Sequence, residues 1–360
     1  MFDHRHYVPI LKWRQGEYQA LLKLDNNIKA QLTPVIDIPP IEWDFERGCL
    51  AKTLDDHLHP VADRILKKWG KESVFVDVGL LDAPRLMGDG SHAIDRIFSE
   101  LRAFGVKAIP VTAFARDKAY QAAVNAIVKT DGRGVCLRIS LDDLASLDDA
   151  RLKAFMAGPN VSLHHVDVII DLECPSFDPM DDFADLLWSL IGPGSHVSGA
   201  RTLTVAATAF PESMGDLKKF VQIVPRDEWI FYKKMVAKAP HGARLPTFGD
   251  YAIAHPAVSR EDMRLLKPSA TLRYTVDDAW RITKGNNVRD NGYDQYRTIC
   301  KELADNAAIF AGTAFSNGDK YIDECGRGAA KTGNLTTWRW VGTNHHLTRV
   351  AADLSNLYGP

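Results

Sequence analysis

No stretch of this chain approaches the roughly 20 apolar residues that a membrane-spanning helix requires, and Met1 to Arg14 is too charged to read as a secretion signal. Cysteine is scarce and scattered. The five cysteines (Cys49, Cys136, Cys174, Cys300 and Cys325) are odd in number and lack CxxC spacing, which excludes a disulfide framework or a zinc knuckle as the organising device. Neither sign of charge dominates: 44 Lys and Arg stand against 46 Asp and Glu, for a net charge of -2. That balance exerts no long-range pull on nucleic acid or an anionic membrane, and no basic stripe or recognised nucleic-acid motif opposes this reading. No glycine-rich GxGxxG turn follows the first strand-like segment, and no HExxH is present. What remains is the composition of an ordinary globular protein, 46% hydrophobic and 25% charged over 360 residues, long enough to bury a large core unaided. The expected setting is the cytoplasm; the oligomeric state is not readable.

Strand-like and helical periodicity alternate along the first 255 residues. Predicted strands cover Tyr7 to Lys12, Leu32 to Ile38, Val74 to Val78, Lys107 to Thr112, Val135 to Ile139, the run from Val166 into Leu172-Glu173, Thr202 to Thr208, and Thr247 to Ala252. Helical segments separate them. Eight such units predict a (β/α)8 barrel of the TIM type; a doubly wound open sheet is the alternative. The loop from about Pro39 to Lys52, carrying Glu42, Trp43, Asp44 and Phe45, exceeds a minimal connection and reads as functional.

Alternation sharpens the barrel into a site. If the last polar residue of each strand points inward, so do alternate residues before it. This places Lys12, Asp37, Asp77, Thr112, Arg138, Asp171 with Glu173, Thr208 and Asp250 at the carboxyl end of the barrel, where barrel enzymes act. Two readings of that ring stand side by side. Asp77, Asp171 and Glu173 offer oxygen ligands to Mg²⁺ or Mn²⁺; alternatively the acids pair with Arg138 and Lys12 as a buried ion network. A lone acid such as Asp37 or Asp250 also reads more simply as a turn cap.

From residue 256 to 360 the pattern changes to a C-terminal extension of hairpin, loops and helices, expected to pack on the barrel mouth as one unit with it. Ala270 to Thr275 and Ala279 to Lys284 form the hairpin, with Arg273 on its first strand. Phe315 to Tyr321 and Gly326 to Asn334 read as Gly-rich binding loops. Asn344 is a plausible N-cap, which puts His345 and His346 in a first helical turn, able to grip an anion or to serve as acid and base. Packing is the simpler reading of both histidines.

The opening Tyr7-Val8-Pro9-Ile10-Leu11-Lys12-Trp13-Arg14, with Leu32 through Pro40, resembles the start of the phage-type Beta protein family. Gly249-Asp250-Tyr251, Ser316-Asn317-Gly318-Asp319, and Gly333-Asn334 through Trp338-Arg339 to Asn344-His345-His346-Leu347 are similar to its later motifs. Lys12, Asp37, Asp250, Asp319, Trp338, Arg339, His345 and His346 match those motifs. The resemblance implies an origin in phages, prophages or bacterial genomes, in some cases beside antiviral defence genes, and carries no assigned activity. Two functions follow as expectations. One is a metal-assisted phosphoester hydrolase acting on a small phosphorylated or nucleotide-like ligand. Its catalytic groups are Asp171, Glu173, His345 and His346, and its ligand contacts are Lys12, Asp37, Arg138, Asp250, Tyr251, Arg273, Asp319, Trp338 and Arg339. The other is a non-catalytic protein that recognises a phage or host component.

Overall fold

A computed structural model describes residues 2–215, 217, 220–258, 262 and 265–359. Seven strands, β1 (Tyr7–Lys12), β2 (Val35–Asp37), β3 (Val74–Asp77), β4 (Ala108–Thr112), β5 (Val135–Ile139), β6 (Val166–Asp171) and β7 (Thr202–Ala207), run parallel. After β8 (Phe220–Pro225) the parallel pattern resumes with β9 (Thr247–Asp250), which pairs with both β7 and β1 and closes the barrel. The closed (β/α)8 architecture is as the alternation predicts. Each strand is a short β-branched or aliphatic run, buried on both faces, as a helix-covered parallel sheet demands.

Helix starts follow local chemistry. Thr53, Asp117 and Ser140 each accept the backbone N–H three residues on, Ser140 within a full capping box. The side chains of Val8, Ile10, Val35, Phe75, Val111, Cys136, Ile169, Ala206 and Tyr251 fill the barrel interior. A larger apolar layer lies between strands and helices.

Two strands reverse the expected phase. On β4, Val111 faces the interior and Thr112 turns outward to Gln121 (3.2 Å). All of Ala108 to Val111 is apolar, so alternation there carries no directional signal. On β9, Asp250 points out to the helix layer with Phe248, while Tyr251 enters the barrel. Gly249 faces inward because nothing larger fits: a Cβ would lie 2.9 Å from the Val8 carbonyl and 2.9 Å from Ala206 Cβ.

The region after β9 differs from the expectation more deeply. β10 (Ser269–Val276) and β11 (Ala279–Asn287) form the predicted hairpin, and β8 adds a third antiparallel strand to it. Asn317–Gly326 is a helix capped by Ser316, in place of the first predicted binding loop. The final helix starts at Leu335, capped by Asn334, and runs 24 residues to Tyr358. Asn344 therefore sits mid-helix and does not start the helix that carries the histidines; its Oδ1 instead accepts the Gly318 N–H (2.8 Å) in the first turn of Asn317–Gly326, so the helix start beside His345 is already capped by Ser316 and Asn344. Leu347, Val350 and Leu354 of this helix join the main core, so its second half serves as the barrel's eighth helix. Its first half, with Trp338, Trp340 and Val341, packs in a second core with Leu272, Tyr274 and Tyr296.

Candidate functional site

The register of β1, β2 and β3 sets Lys12 beside Asp37 and Asp37 beside Asp77. Neighbours in a parallel ladder share a face, so all three point into the carboxyl end of the barrel. From β5, Arg138 reaches across and fills the centre. Its Nη1 donates to Asp37 (2.9 Å) and Asp77 (3.2 Å), its Nε to Asp171 (2.7 Å), and its Nη2 to the Tyr251 hydroxyl (2.9 Å). The Tyr251 hydroxyl in turn donates to Asp171 (2.6 Å).

Asp77 also receives Arg116, the Tyr120 hydroxyl and the Gly79 N–H. Burial works against the charge on Arg138, but Asp37, Tyr251, Asp171 and Asp77 outweigh it and hold its pKa above the ordinary arginine value. Burial pushes Asp37 up to about 6 although Arg138 opposes it. Among the two readings of the ring, the geometry is that of a buried ion network.

Lys12 does not join the acids directly. Its ammonium donates to the carbonyls of His255 (2.9 Å) and Ala257 (2.5 Å), tying down the segment that follows β9. Burial, with Arg14 and Arg339 nearby, lowers it to about 8. Glu173 leaves the cluster altogether. β6 ends at Asp171, Glu173 adopts a left-handed φ of 54°, and its side chain is exposed.

The expected ligand set of Asp77, Asp171 and Glu173 is thus split between a buried network and the surface. Among the described residues no three His, Cys, Asp or Glu side chains gather as a cation site. The oxygens of Asp77 and Asp171 are already engaged by guanidinium and hydroxyl donors, so these residues do not fit Mg²⁺ or Mn²⁺.

Above the ring lies a groove of about 590 Å³. Its walls are Pro40, Leu80, Leu172 to Cys174 and His255 to Val258. These belong to the loops that continue β2, β3, β6 and β9, the strands whose ends grip Arg138. The long loop after β2 then forms a small ladder, Trp43–Asp44 with Cys49–Leu50, on which Trp43, Phe45 and Leu50 are about half exposed.

His345 and His346 lie elsewhere, fully buried where β9, β10 and the last helix meet. His345 contacts Asp319 through Nδ1 (2.8 Å) and the Thr275 carbonyl through Nε2 (2.7 Å). The Thr275 carbonyl can only accept, so Nε2 carries a hydrogen, and Nδ1 is taken up by the Asp319 carboxyl. Tyr274 stacks on that ring at 3.8 Å and donates its hydroxyl to Asp319 (2.7 Å). His346 donates from Nε2 to Asp250 (2.8 Å) and meets the Thr275 hydroxyl at Nδ1 (2.8 Å). Burial lowers the pKa of His346, in keeping with a neutral ring. Burial favours a neutral Asp250, but hydrogen bonds from His346, Tyr7 and Ala252 outweigh it and hold the carboxyl below its ordinary value. No nitrogen of either ring is left for a ligand.

A model of the Beta protein family matches residues 7–352. The chain belongs to the Beta protein family. No curated protein matches it. In this Beta protein the motif residues divide between two places. Lys12 and Asp37 stand at the mouth, whereas Asp250, Asp319, His345 and His346 make the buried joint between barrel and C-terminal region. Trp338 stacks on Tyr296 (4.2 Å) in the second core. Arg339 and Arg273 both donate to the Ile253 carbonyl, at 3.0 and 3.4 Å. With Lys12 they place three cations on the backbone of residues 253–257.

Several working residues of this family member carried no usable sequence signal. Arg116 and Tyr120 complete the shell of Asp77; Tyr7 and Thr275 complete the histidine network. Arg226, fully buried, is paired with Asp353 (3.0 Å) and Glu228 (3.6 Å). Apart from Glu228, the partners named lie tens of residues or more away in sequence.

Proposed function

We propose that this Beta protein family member is a non-catalytic recognition protein, associated with phages or prophages, whose barrel mouth docks a segment of a phage or host protein. The observation that carries the reading is the locked state of Arg138. Three carboxylates and a tyrosine occupy its donors, and opposite charges paired in fixed positions make a rigid floor rather than a set of free reactive groups.

What remains accessible at the mouth suits a polypeptide. The groove mixes the apolar side chains of Pro40, Leu80, Leu172, Pro256 and Val258 with Glu173, Cys174 and His255, and the loop beyond Pro40 exposes Trp43 and Phe45. Exposed aromatic side chains beside a groove of mixed polarity are the usual anchors of a protein interface.

The competing reading, a metal-assisted phosphoester hydrolase with Asp171 and Glu173 as catalysts, draws no support from the placement of its residues. The test pairs two measurements. Hydrolysis of p-nitrophenyl and bis-p-nitrophenyl phosphate is followed with and without Mg²⁺ or Mn²⁺, and partners are captured from phage-infected cells by the wild type and by Leu80→Glu. Expected are background hydrolysis throughout and a partner that the variant loses. Metal-dependent turnover that disappears in Asp171→Asn would overturn the proposal.

A further inference from the structure

The opposite, amino end of the barrel holds a cavity of about 940 Å³ beneath the starts of β1 to β7. Its composition differs from that of the mouth. Phe2 and the edges of the buried Leu32, Trp69 and Phe75 give it apolar lining, and cationic side chains surround them. Both acids that line it are already engaged. Asp167 is held by Arg201 through both carboxyl oxygens (2.9 and 2.5 Å) and by the Thr202 hydroxyl, and Glu72 is paired with Lys107 at 3.2 Å.

Three positive charges are left over: Lys29, Lys71 and Arg133. Arg133 donates to one carbonyl, that of Val106 (3.0 Å), and among the described residues neither lysine has an acid within ion-pair distance. Lys29 is half-buried, and burial without a counter-charge lowers its pKa. Holding an ammonium in a partly desolvated place is unfavourable unless an anion accompanies it.

We propose that this basal cavity is a binding site for a small phosphate-bearing molecule, whose anionic group lies among Lys29, Lys71 and Arg133 and whose body fills the rest of the cavity against its apolar lining. Chemistry in barrels of this type belongs to the carboxyl end. The basal site is therefore a site of binding, separate from the mouth and independent of what the mouth docks. That lining accepts either a planar base or the apolar face of a sugar, so the class is a nucleotide or a sugar phosphate.

The test is titration calorimetry with pyrophosphate, AMP and glucose 6-phosphate at fixed ionic strength, on the wild type, Lys29→Gln/Lys71→Gln and Leu80→Glu. Expected are saturable binding by the wild type, weakening by about tenfold or more in the double lysine variant, and no change in Leu80→Glu, a factor of ten being about 1.4 kcal/mol. A preference for AMP over glucose 6-phosphate assigns the lining to a base, and the reverse preference to a sugar. Absence of saturable binding of all three probes at about 5 mM, well above the weak end of specific affinities, overturns the proposal. So does equal affinity in the double lysine variant, or loss of binding in Leu80→Glu.

Discussion

Replacing Arg138 by Met keeps the length and apolar stem of the side chain and removes the charge that Asp37, Asp77 and Asp171 share. The three carboxyls are 3%, 3% and 8% exposed, so water does not take the guanidinium's place. Breaking a buried ion pair by removing one partner costs about 3–5 kcal/mol, and Arg116 remains to shield only Asp77. For 360 residues the unfolding entropy is about 0.76 kcal/mol/K at roughly 2.1 cal/mol/K per residue. The expected fall in Tm at pH 7.5 is then about 4–7 °C.

The sign of the pH dependence discriminates charge from packing. Uncompensated carboxyls bind protons more tightly when folded than when unfolded, so the folded variant recovers stability as pH falls towards 5. Differential scanning calorimetry of both proteins at pH 5 and 7.5 makes the comparison. A Tm loss as large at pH 5 as at pH 7.5 refutes the charge argument and leaves only lost packing. A loss under about 1 °C at both values, no more than an exposed ion pair contributes, refutes the buried network itself.

Asp37 has a raised pKa, so its contribution is full below its unfolded value and is lost as pH rises through about 6. Asp37→Asn should remove that part of the pH profile, about 2 kcal/mol of it falling between pH 4.5 and 7.5 for a two-unit shift, as read by urea unfolding over that range. Asp250 is the opposite case: its pKa is lowered, so its contribution is present above the unfolded value and is lost as pH falls through the folded one. Asp250→Asn should flatten the acid limb of the stability curve and lower Tm at neutral pH; an unchanged acid limb counts against the Asp250–His346 bond. Gly318→Ala puts a Cβ 2.4 Å from the Val341 carbonyl, and overpacking of this kind costs about 1–3 kcal/mol, measurable in the same unfolding assay. Addition of EDTA or of millimolar Mg²⁺ should leave Tm unchanged; a stabilisation lost in Asp171→Asn contradicts the pairing described for that residue.

The barrel was legible because its strands are short, apolar and regularly spaced, and because the residues ending β1, β2, β3, β5 and β6 announce the mouth by their charge. Direction was legible only where one alternation set was polar. In β4 both sets are apolar, and in β9 the informative residue was Gly249, whose small size rather than polarity marks the interior. The end of a strand is a matter of local backbone: the left-handed turn at Glu173 separates it from Asp171, and nothing in Asp171-Leu172-Glu173 signals it. The histidines misled for a different reason. Asn334 and Asn344 are equally good caps in isolation, and the choice between them rests on a capping box with Thr337 and on two cores that the helix bridges. Partners such as Thr275 and Asp319 lie 70 and 26 residues from the rings they bind, beyond the reach of any periodic pattern.

The eighth barrel helix is the second half of Leu335–Tyr358, a helix that begins about 85 positions after the strand it covers. A ribosome-bound chain that has emerged as far as β9 can pair every barrel strand, and Trp229 and Tyr232 already cover Phe248, yet the core lacks Leu347, Val350 and Leu354 and Asp250 has no histidine. Completion of the barrel's core during synthesis therefore waits for the last helix. A nascent chain stalled before residue 335 should leave open the core positions that Leu347, Val350 and Leu354 fill, and bind chaperones there.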